Sequence, residues 1–256
     1  MNTHAERALT PTIKKIYRES CLDVTDVRGL LGLLLVDGSL VHYRSPSGGY
    51  IQMTITAGIK ESAYLEEKVA EFKSFFPTRA AISPYSTAKR ANGKQTTVLR
   101  FRASTNKLRP VYNLLYPAGE RQITQPVLDI LGAQAAAWCW AESAVIGKRG
   151  GAKLSRVGNT RAEAMRLNTW LELLTGARGE VKVYRKRPRL SFDPQQTKKI
   201  QAALIQYAPK SRIHLFTGEV PDVSAIRSSR TELLLGSGDT GIARAEAETL
   251  VGNHSA

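Results

Sequence analysis

Residues 30–38 read LLGLLLVDG: a leucine-rich run with one glycine inside it, an aspartate where the run stops being apolar, and a second glycine. This pattern is typical of a buried helix that delivers one carboxylate to a polar surface at its C-terminal end. Asp-Gly is also a common turn pair. Taken alone, the stretch is better explained as an ordinary core helix followed by a turn into a strand. A second, weaker copy downstream changes that balance.

The composition indicates a globular, basic protein. The chain has 256 residues, 42% of them hydrophobic, and a net charge of +15. That length allows one large domain or two smaller ones. The basic residues are spread along the chain instead of forming a tail, so the sequence predicts a folded protein with a basic face. Nucleic acid is the default partner of such a face, and an anionic membrane is a weaker alternative.

Other features of the sequence set the expected location. No apolar run approaches the roughly 20 residues of a spanning helix, and the polar N-terminus does not resemble a signal peptide. Cys21 and Cys139 are too few for a disulfide framework or a structural zinc site. We therefore expect a cytoplasmic protein of a bacterial or phage-infected cell, or a protein of an organellar matrix, and not a secreted one.

Hydrophobic periodicity predicts an α+β fold with the order helix, two strands, helix, two strands, helix. The predicted strands of the first half form hairpins, and the second of them alternates apolar and polar residues. In chain order these elements are a helix from about residue 25 to Val36, Leu40–Arg44, Gly49–Thr56, Lys60–Phe76, Arg79–Ser83, Gln95–Ala103 and Lys107–Tyr116.

The same order then recurs, which indicates a tandem duplication. The second set comprises Pro126–Ala141, Ser143–Ile146, Ala152–Val157, Thr160–Thr175, Val181–Tyr184, Arg189–Phe192 and Gln195–Tyr207, with Thr160 as a helix cap and residues 185–188 as a basic hairpin turn. The chain accordingly divides into an N-terminal extension (1–24), a first repeat (25–117), a linker (118–125), a second repeat (126–217) and a C-terminal tail (218–256).

The two repeats each supply one acid at the same place. Aligned with the first stretch, residues 134–143 read QAAAWCWAES, so that Glu142 takes the place of Asp37 and Ala137 that of Gly32. Small residues allow two helices to pack closely, and parallel packing would bring both acids to one end of the interface. Adjacent carboxylates repel unless a cation lies between them. Mg²⁺ is a suitable cation. Divalent ions held between carboxylates and phosphate oxygens commonly promote the hydrolysis of phosphodiester bonds.

On these residues the chain resembles the monomeric, two-repeat LAGLIDADG homing endonucleases, over about residues 25 to 216. Leu30–Gly38 matches the family motif at its apolar positions, Gly32, Asp37 and Gly38. The resemblance implies two pseudo-symmetric αββαββα repeats, each with a four-stranded antiparallel saddle sheet, packed through the two motif helices. It also implies a monomer that cuts both strands of a long DNA site, with Asp37 and Glu142 as metal ligands.

The second motif departs from the family pattern, because Glu142-Ser143 stands where Asp-Gly is usual. The family also tends to place a lysine near each scissile phosphate. By spacing, Arg121 and His214 take those positions and are expected to assist catalysis, with Lys210 and Arg212 near enough to substitute.

Polar strand faces and basic turns are the expected DNA contacts. Arginine and glutamine side chains can read base edges in the major groove, and basic turns can reach flanking phosphates. A solvated strand face is the alternative explanation for any single residue. The predicted contacts are Arg44, Tyr50, Gln52, Thr54, Thr56, Lys89, Arg90, Arg100, Arg102, Lys148, Arg149, Lys153, Arg185, Lys186 and Arg187.

Two alternatives to an endonuclease remain open at this point. The irregular second motif also suits a protein of the same fold that has lost cleavage and acts as an RNA splicing maturase on intron RNA, or as a DNA-binding regulator. A weaker possibility is a basic α/β nucleic-acid binder with a coincidental likeness to the family. The scattered histidines, the lack of a P-loop and the lack of an assignable Ser-His-Asp set exclude other common catalytic sites.

Overall fold

The structure is a computed structural model that describes residues 24–218, except residues 45, 47–48, 78–79, 89–92 and 94. The predicted DNA contacts Lys89 and Arg90, and most of the predicted terminal extension and tail, lie outside these residues. Within the described part of the chain, no helix has the length and apolar character needed to cross a membrane.

The first half contains the predicted order of helices and strands. Its elements are α1 (Val24–Val36), β1 (Ser39–Tyr43), β2 (Tyr50–Gly58), α2 (Ser62–Glu71), β3 (Ile82–Ser86), β4 (Thr97–Thr105) and α3 (Arg109–Leu115). A 3-10 turn precedes α2 at Ile59–Glu61, and another follows it at Lys73–Phe75. The four antiparallel strands form a sheet in the order β1-β2-β4-β3.

The second half repeats that order. Its elements are α4 (Gln125–Leu128), α5 (Ala133–Ser143), β5 (Ala144–Ile146), β6 (Ala152–Leu154), α6 (Arg161–Thr175), β7 (Glu180–Tyr184), β8 (Arg187–Phe192), α7 (Pro194–Leu204) and α8 (His214–Thr217), with 3-10 turns at Ile205–Tyr207 and Lys210–Arg212. The strands form an antiparallel sheet of order β5-β6-β8-β7. Both αββαββα repeats and both antiparallel sheets of the sequence prediction are thereby confirmed.

Each sheet buries one face and leaves the other open. In β2, Ile51, Met53 and Ile55 are buried, while Gln52 and Thr54 between them point to the opposite, open face. This is the period-two pattern of a half-buried strand. The helices cover the buried faces, so the polar residues of both sheets remain accessible.

The motif helices α1 and α5 pack against each other. Gly32 contacts Ala135, and a Cβ added to Gly32 would lie 2.4 Å from the Ala135 carbonyl oxygen. The close partner is therefore Ala135, two residues before Ala137, which the sequence alignment places level with Gly32. The expected small-residue packing is present, and it brings the two backbones into direct contact.

Two local predictions were wrong. The helix predicted over Pro126–Ala141 is two helices: the first ends at Leu128, and the second begins after Gly132, which is extended and forms its N-cap. The turn predicted over residues 185–188 contains only Arg185 and Lys186, both with positive φ, as in a two-residue hairpin whose twist matches its strands. Pro188 instead pairs with Val183 inside the sheet.

Candidate active site at the ends of the motif helices

Asp37 lies just past the last residue of α1, where the chain turns toward β1. Gly38 has φ +67°, a left-handed conformation in which glycine is favoured and which lets the chain leave the helix. Arg121 Nη1 donates to the carbonyl oxygens of Leu34, Asp37 and Gly38 at 3.2, 3.3 and 3.1 Å. The positive guanidinium thus satisfies the helix-end carbonyls and fixes the backbone of Asp37.

Glu142 is positioned differently, inside the last turn of α5. Ser143 remains helical, and its Oγ donates to the Cys139 carbonyl at 2.6 Å. The chain leaves the helix only at Ala144, which is extended. The second motif therefore needs no left-handed glycine after its acid, and this explains how Ser143 is accommodated.

The carboxylates of Asp37 and Glu142 lie side by side and share two cationic neighbours. Lys68 Nζ, from α2, lies 3.3 Å from Asp37 Oδ2 and 3.0 Å from Glu142 Oε2. Arg156 Nη1, just after β6, lies 2.8 Å from Asp37 Oδ1 and 3.5 Å from Glu142 Oε1. Lys68 is almost fully buried, whereas the Arg156 side chain is 52% exposed. The structure thus unites the acids of both repeats in one charged cluster.

The two acids differ in proton affinity. Burial raises the pKa of Asp37, but Lys68, the Gly38 N–H and Arg156 together hold it below its usual value. Burial and the neighbouring charge of Asp37 raise the pKa of Glu142, and Lys68 offsets this only in part. Such a split is expected for two close carboxylates that cannot both ionise freely.

Tyr64 forms one wall of the cluster. Lys68 Nζ lies 4.4 Å and Arg212 Cζ 4.3 Å from the centroid of its ring. Burial, and next the charge of Glu142, raise the pKa of the Tyr64 hydroxyl. This hydroxyl lies near Glu142 but makes no hydrogen bond of normal geometry within the described residues. Tyr64 therefore remains neutral at physiological pH.

The two predicted assisting residues take different places. Arg121 reaches the helix-end carbonyls beside Asp37, not the carboxylates. His214 begins α8, and burial, then the charge of Arg212, lower its pKa. Among the described residues, no hydrogen bond or ion pair joins His214 to Asp37 or Glu142. Arg212 lies closer to the charged cluster than His214 does: it stacks on the ring of Tyr64, which lines the cluster, and forms an ion pair with Glu61.

Six of the predicted contacts of the first half lie on strands and share the open face of the first sheet. Thr54 is level with Arg102 across the β2–β4 pair, and Thr56 is level with Arg100. Arg100 also stacks on Tyr85, with its Cζ 3.6 Å from the ring centroid. Arg44 is exposed just beyond β1. The residues on this open face are Tyr50, Gln52, Thr54, Thr56, Arg100 and Arg102.

The predicted contacts of the second half are all exposed. Lys153 lies on β6 and Arg187 begins β8. Lys148 and Arg149 occupy the β5–β6 turn, and Arg185 and Lys186 the β7–β8 turn. The structure therefore brings these residues to one sheet and its turns.

Sequence reasoning missed Lys68, Arg156 and Tyr64. Lys68 carries a usable signal, because it lies four residues from both Tyr64 and Phe72 on the apolar stripe of α2. A lysine on such a stripe needs a buried partner. Arg156 follows a short strand in a chain rich in arginine, so no comparable pattern distinguishes it.

A family profile and one solved structure agree with this architecture. The sequence profile of the LAGLIDADG DNA endonuclease family matches residues 28–200. The homing endonuclease I-WcaI bound to its DNA recognition sequence has a similar fold, with a TM-score of 0.64 and 14% sequence identity. The alignment covers 82% of this chain and 95% of the I-WcaI chain. Mesophilic variants of the homing endonuclease I-DmoI align with TM-score 0.48 and 13% identity, covering 81% of this chain and 100% of theirs. No curated protein gives a significant match.

Proposed function

The chain belongs to the LAGLIDADG DNA endonuclease family, and we propose that it hydrolyses one phosphodiester bond in each strand of a long DNA site, with Asp37 and Glu142 holding a divalent cation. Site-specific DNA cleavage is the activity of the family. The assignment of roles to individual residues is our proposal. The observation that carries it is the carboxylate pair, one acid from each repeat, at the junction of the motif helices.

The residues of the pair suit a hard divalent cation. Two carboxylates side by side attract positive charge, and both already form ion pairs with Lys68 and Arg156. Among the described residues, no group of three or more His, Cys, Asp and Glu side chains is placed to hold a metal ion. Water and DNA phosphate oxygens would complete the coordination, as is common for Mg²⁺. A bound Mg²⁺ would supply Lewis-acid stabilisation of phosphate charge.

The chain's own residues bind and orient the DNA. The open face of the first sheet offers Gln52, Arg100 and Arg102 to base edges, and Lys153 and Arg187 extend the surface into the second half. Basic turns on the second half are placed to reach phosphates. Since phosphate contacts release counterions, binding should weaken steeply with salt. We propose that the protein acts on double-stranded DNA as a monomer.

A second candidate is a DNA- or RNA-binding protein of the same fold that has lost cleavage. One observation favours it: Lys68 and Arg156 already neutralise the two acids. Intron RNA would then be the expected partner of a maturase.

Cleavage assays separate the two candidates. The wild type, Asp37→Asn and Glu142→Gln are incubated with Mg²⁺ and a DNA library, and double-strand ends are sequenced. We expect cutting by the wild type and loss of at least about 100-fold in both variants, since removing charged groups that act on a transition state typically costs that much. Salt-sensitive binding without cutting by the wild type would favour the cleavage-deficient alternative.

A further inference from the structure

Lys68 and Arg156 bridge the same two carboxylates through different oxygens. Lys68 uses Asp37 Oδ2 and Glu142 Oε2, and Arg156 uses Asp37 Oδ1 and Glu142 Oε1. Each acid therefore gives one oxygen to each cation. The two cations differ chiefly in burial, since the Lys68 side chain is 1% exposed and that of Arg156 is 52% exposed.

We propose that Lys68 is the permanent cation of the pair, and that Arg156 is an exchangeable one whose place a single divalent cation takes. This inference rests on the proposed metal-dependent function. Withdrawing Lys68 would leave two largely buried carboxylates without their inner partner, which is strongly unfavourable. Arg156 can turn into water at little cost, because half-exposed ion pairs contribute little.

The arrangement limits the number of metal ions. Lys68 Nζ lies within 3.3 Å of Asp37 Oδ2 and within 3.0 Å of Glu142 Oε2, so those oxygens are already in use. Only Oδ1 and Oε1, on the accessible side, remain for a metal. The free protein is therefore expected to bind one divalent cation between its acids, not one at each acid.

Displacement would also free Arg156 for the DNA. Its side chain lines a crevice that Arg121 and Arg187 also line. A guanidinium released from two carboxylates can bind a phosphate through two parallel hydrogen bonds. Arg156 would then be a positioning residue for DNA whose engagement depends on the metal.

Binding of Mn²⁺ alone to the full chain, without DNA, tests Arg156. Free and bound Mn²⁺ are counted by electron paramagnetic resonance for the wild type, Arg156→Ala and the control Arg178→Ala, which alters an exposed arginine paired with Glu172. We expect one bound ion per chain. Affinity should rise about two- to fivefold in Arg156→Ala, the range that loss of a competing half-exposed ion pair allows, and stay unchanged in the control.

Several outcomes would overturn the inference: unchanged or weaker Mn²⁺ binding by Arg156→Ala, two ions on the wild type, or none on any variant. Cleavage is measured in parallel. A wild type that binds Mn²⁺ as expected but cuts no DNA would refute the endonuclease assignment and leave the exchange of Arg156 supported. If the wild type cuts DNA but Arg156→Ala binds Mn²⁺ with wild-type affinity, the endonuclease assignment is supported and the exchange of Arg156 is refuted.

Thermal unfolding tests Lys68. In EDTA, Lys68→Met should unfold roughly 6–20 °C below the wild type, as expected for a broken buried ion pair. Ca²⁺ should restore much of this difference, and it should raise the unfolding temperature of Lys68→Met by more than that of Lys199→Met, an exposed-lysine control that keeps the intact site. If Lys68→Met is recovered folded only with Ca²⁺, the proposal is also supported. The proposal is contradicted if Lys68→Met is equally stable with and without Ca²⁺, or if it does not fold in either condition.

Discussion

Replacing Gly32 by alanine should separate the two motif helices. A Cβ at this position would lie 2.4 Å from the Ala135 carbonyl oxygen, 2.5 Å from its Cα and 2.7 Å from its Cβ. Ordinary carbon contacts are about 3.5–4.0 Å, so the helices must move apart by roughly 1 Å. Because two of the three contacts are with backbone atoms, no side-chain rotation can relieve them.

The expected cost is about 2–3 kcal/mol of unfolding free energy, in the upper part of the range for overpacked cores. For a domain of this size, that lowers Tm by roughly 4–12 °C. Cleavage should fall by about 100-fold, because Asp37 and Glu142 sit at the ends of these helices and a misplacement near 1 Å can cost that much. Urea denaturation and cleavage of the identified target site measure the two effects.

Two further variants make this prediction specific. Gly58→Ala is the control, since φ is −63° there and the nearest atom to an added Cβ is a side-chain oxygen of Glu61 at 3.9 Å. The double variant Gly32→Ala/Ala135→Gly removes only the Cβ contact and should recover no stability. Recovery to the wild-type free energy would refute a backbone clash, as would a Gly32→Ala protein of unchanged stability.

Three further predictions concern other parts of the molecule. Glu163 accepts from the N–H groups of Ile123 and Thr160; although burial raises its pKa, these bonds keep it below the ordinary 4.5. The ionised Glu163 stabilises the fold above pH 4.5, and this effect is lost as pH falls through the lowered pKa. Glu163→Gln should therefore reduce the unfolding free energy by about 1–3 kcal/mol at pH 7 and by less at pH 3. Urea denaturation at both pH values measures this, and an equal reduction at both would contradict it. Lys148→Ala, in a basic turn placed to reach phosphates, should reduce the slope of log affinity against log salt by about 1, while Arg178→Ala leaves that slope unchanged, as fluorescence anisotropy with labelled DNA will show. Glu67 accepts hydrogen bonds from the backbone N–H of Lys210 at 2.6 Å and of Ser211 at 2.9 Å. Glu67→Ala should therefore speed proteolysis near residue 210, whereas Glu66→Ala, a change at the exposed neighbour, should not. Equal proteolysis rates in the two variants would show that Glu67 does not hold this segment.

Periodicity predicted the repeats because each strand and helix carries its own burial pattern. In β2 the alternation of Ile51, Met53 and Ile55 with polar residues defines both the strand and its buried face. Thr160 could be predicted as a cap because a threonine three residues before a glutamate is a local signal, and it does form a capping box with Glu163. Local signals of this kind do not depend on the rest of the fold.

The ion cluster was harder to predict, because its partners come from distant parts of the chain. Asp37 and Glu142 follow from the repeat, but Lys68 and Arg156 depend on how α2 and β6 pack around the motif helices. The choice between Arg212 and His214 likewise depends on a 3-10 turn and its ion pair with Glu61. Spacing along the sequence could not distinguish residues so close together.

The connection between the repeats has a consequence for exchanging halves between related proteins. Arg121 binds the end of α1 in the first half, and two residues later the Ile123 N–H donates to Glu163 of the second half at 2.8 Å. Arg166 Nε also donates to the Ile123 carbonyl at 2.9 Å. The segment is thus fitted to both neighbours at once. A chimera that joins this first half to another protein's second half will need matching residues at positions 163 and 166, and a longer or more flexible joint will not replace them.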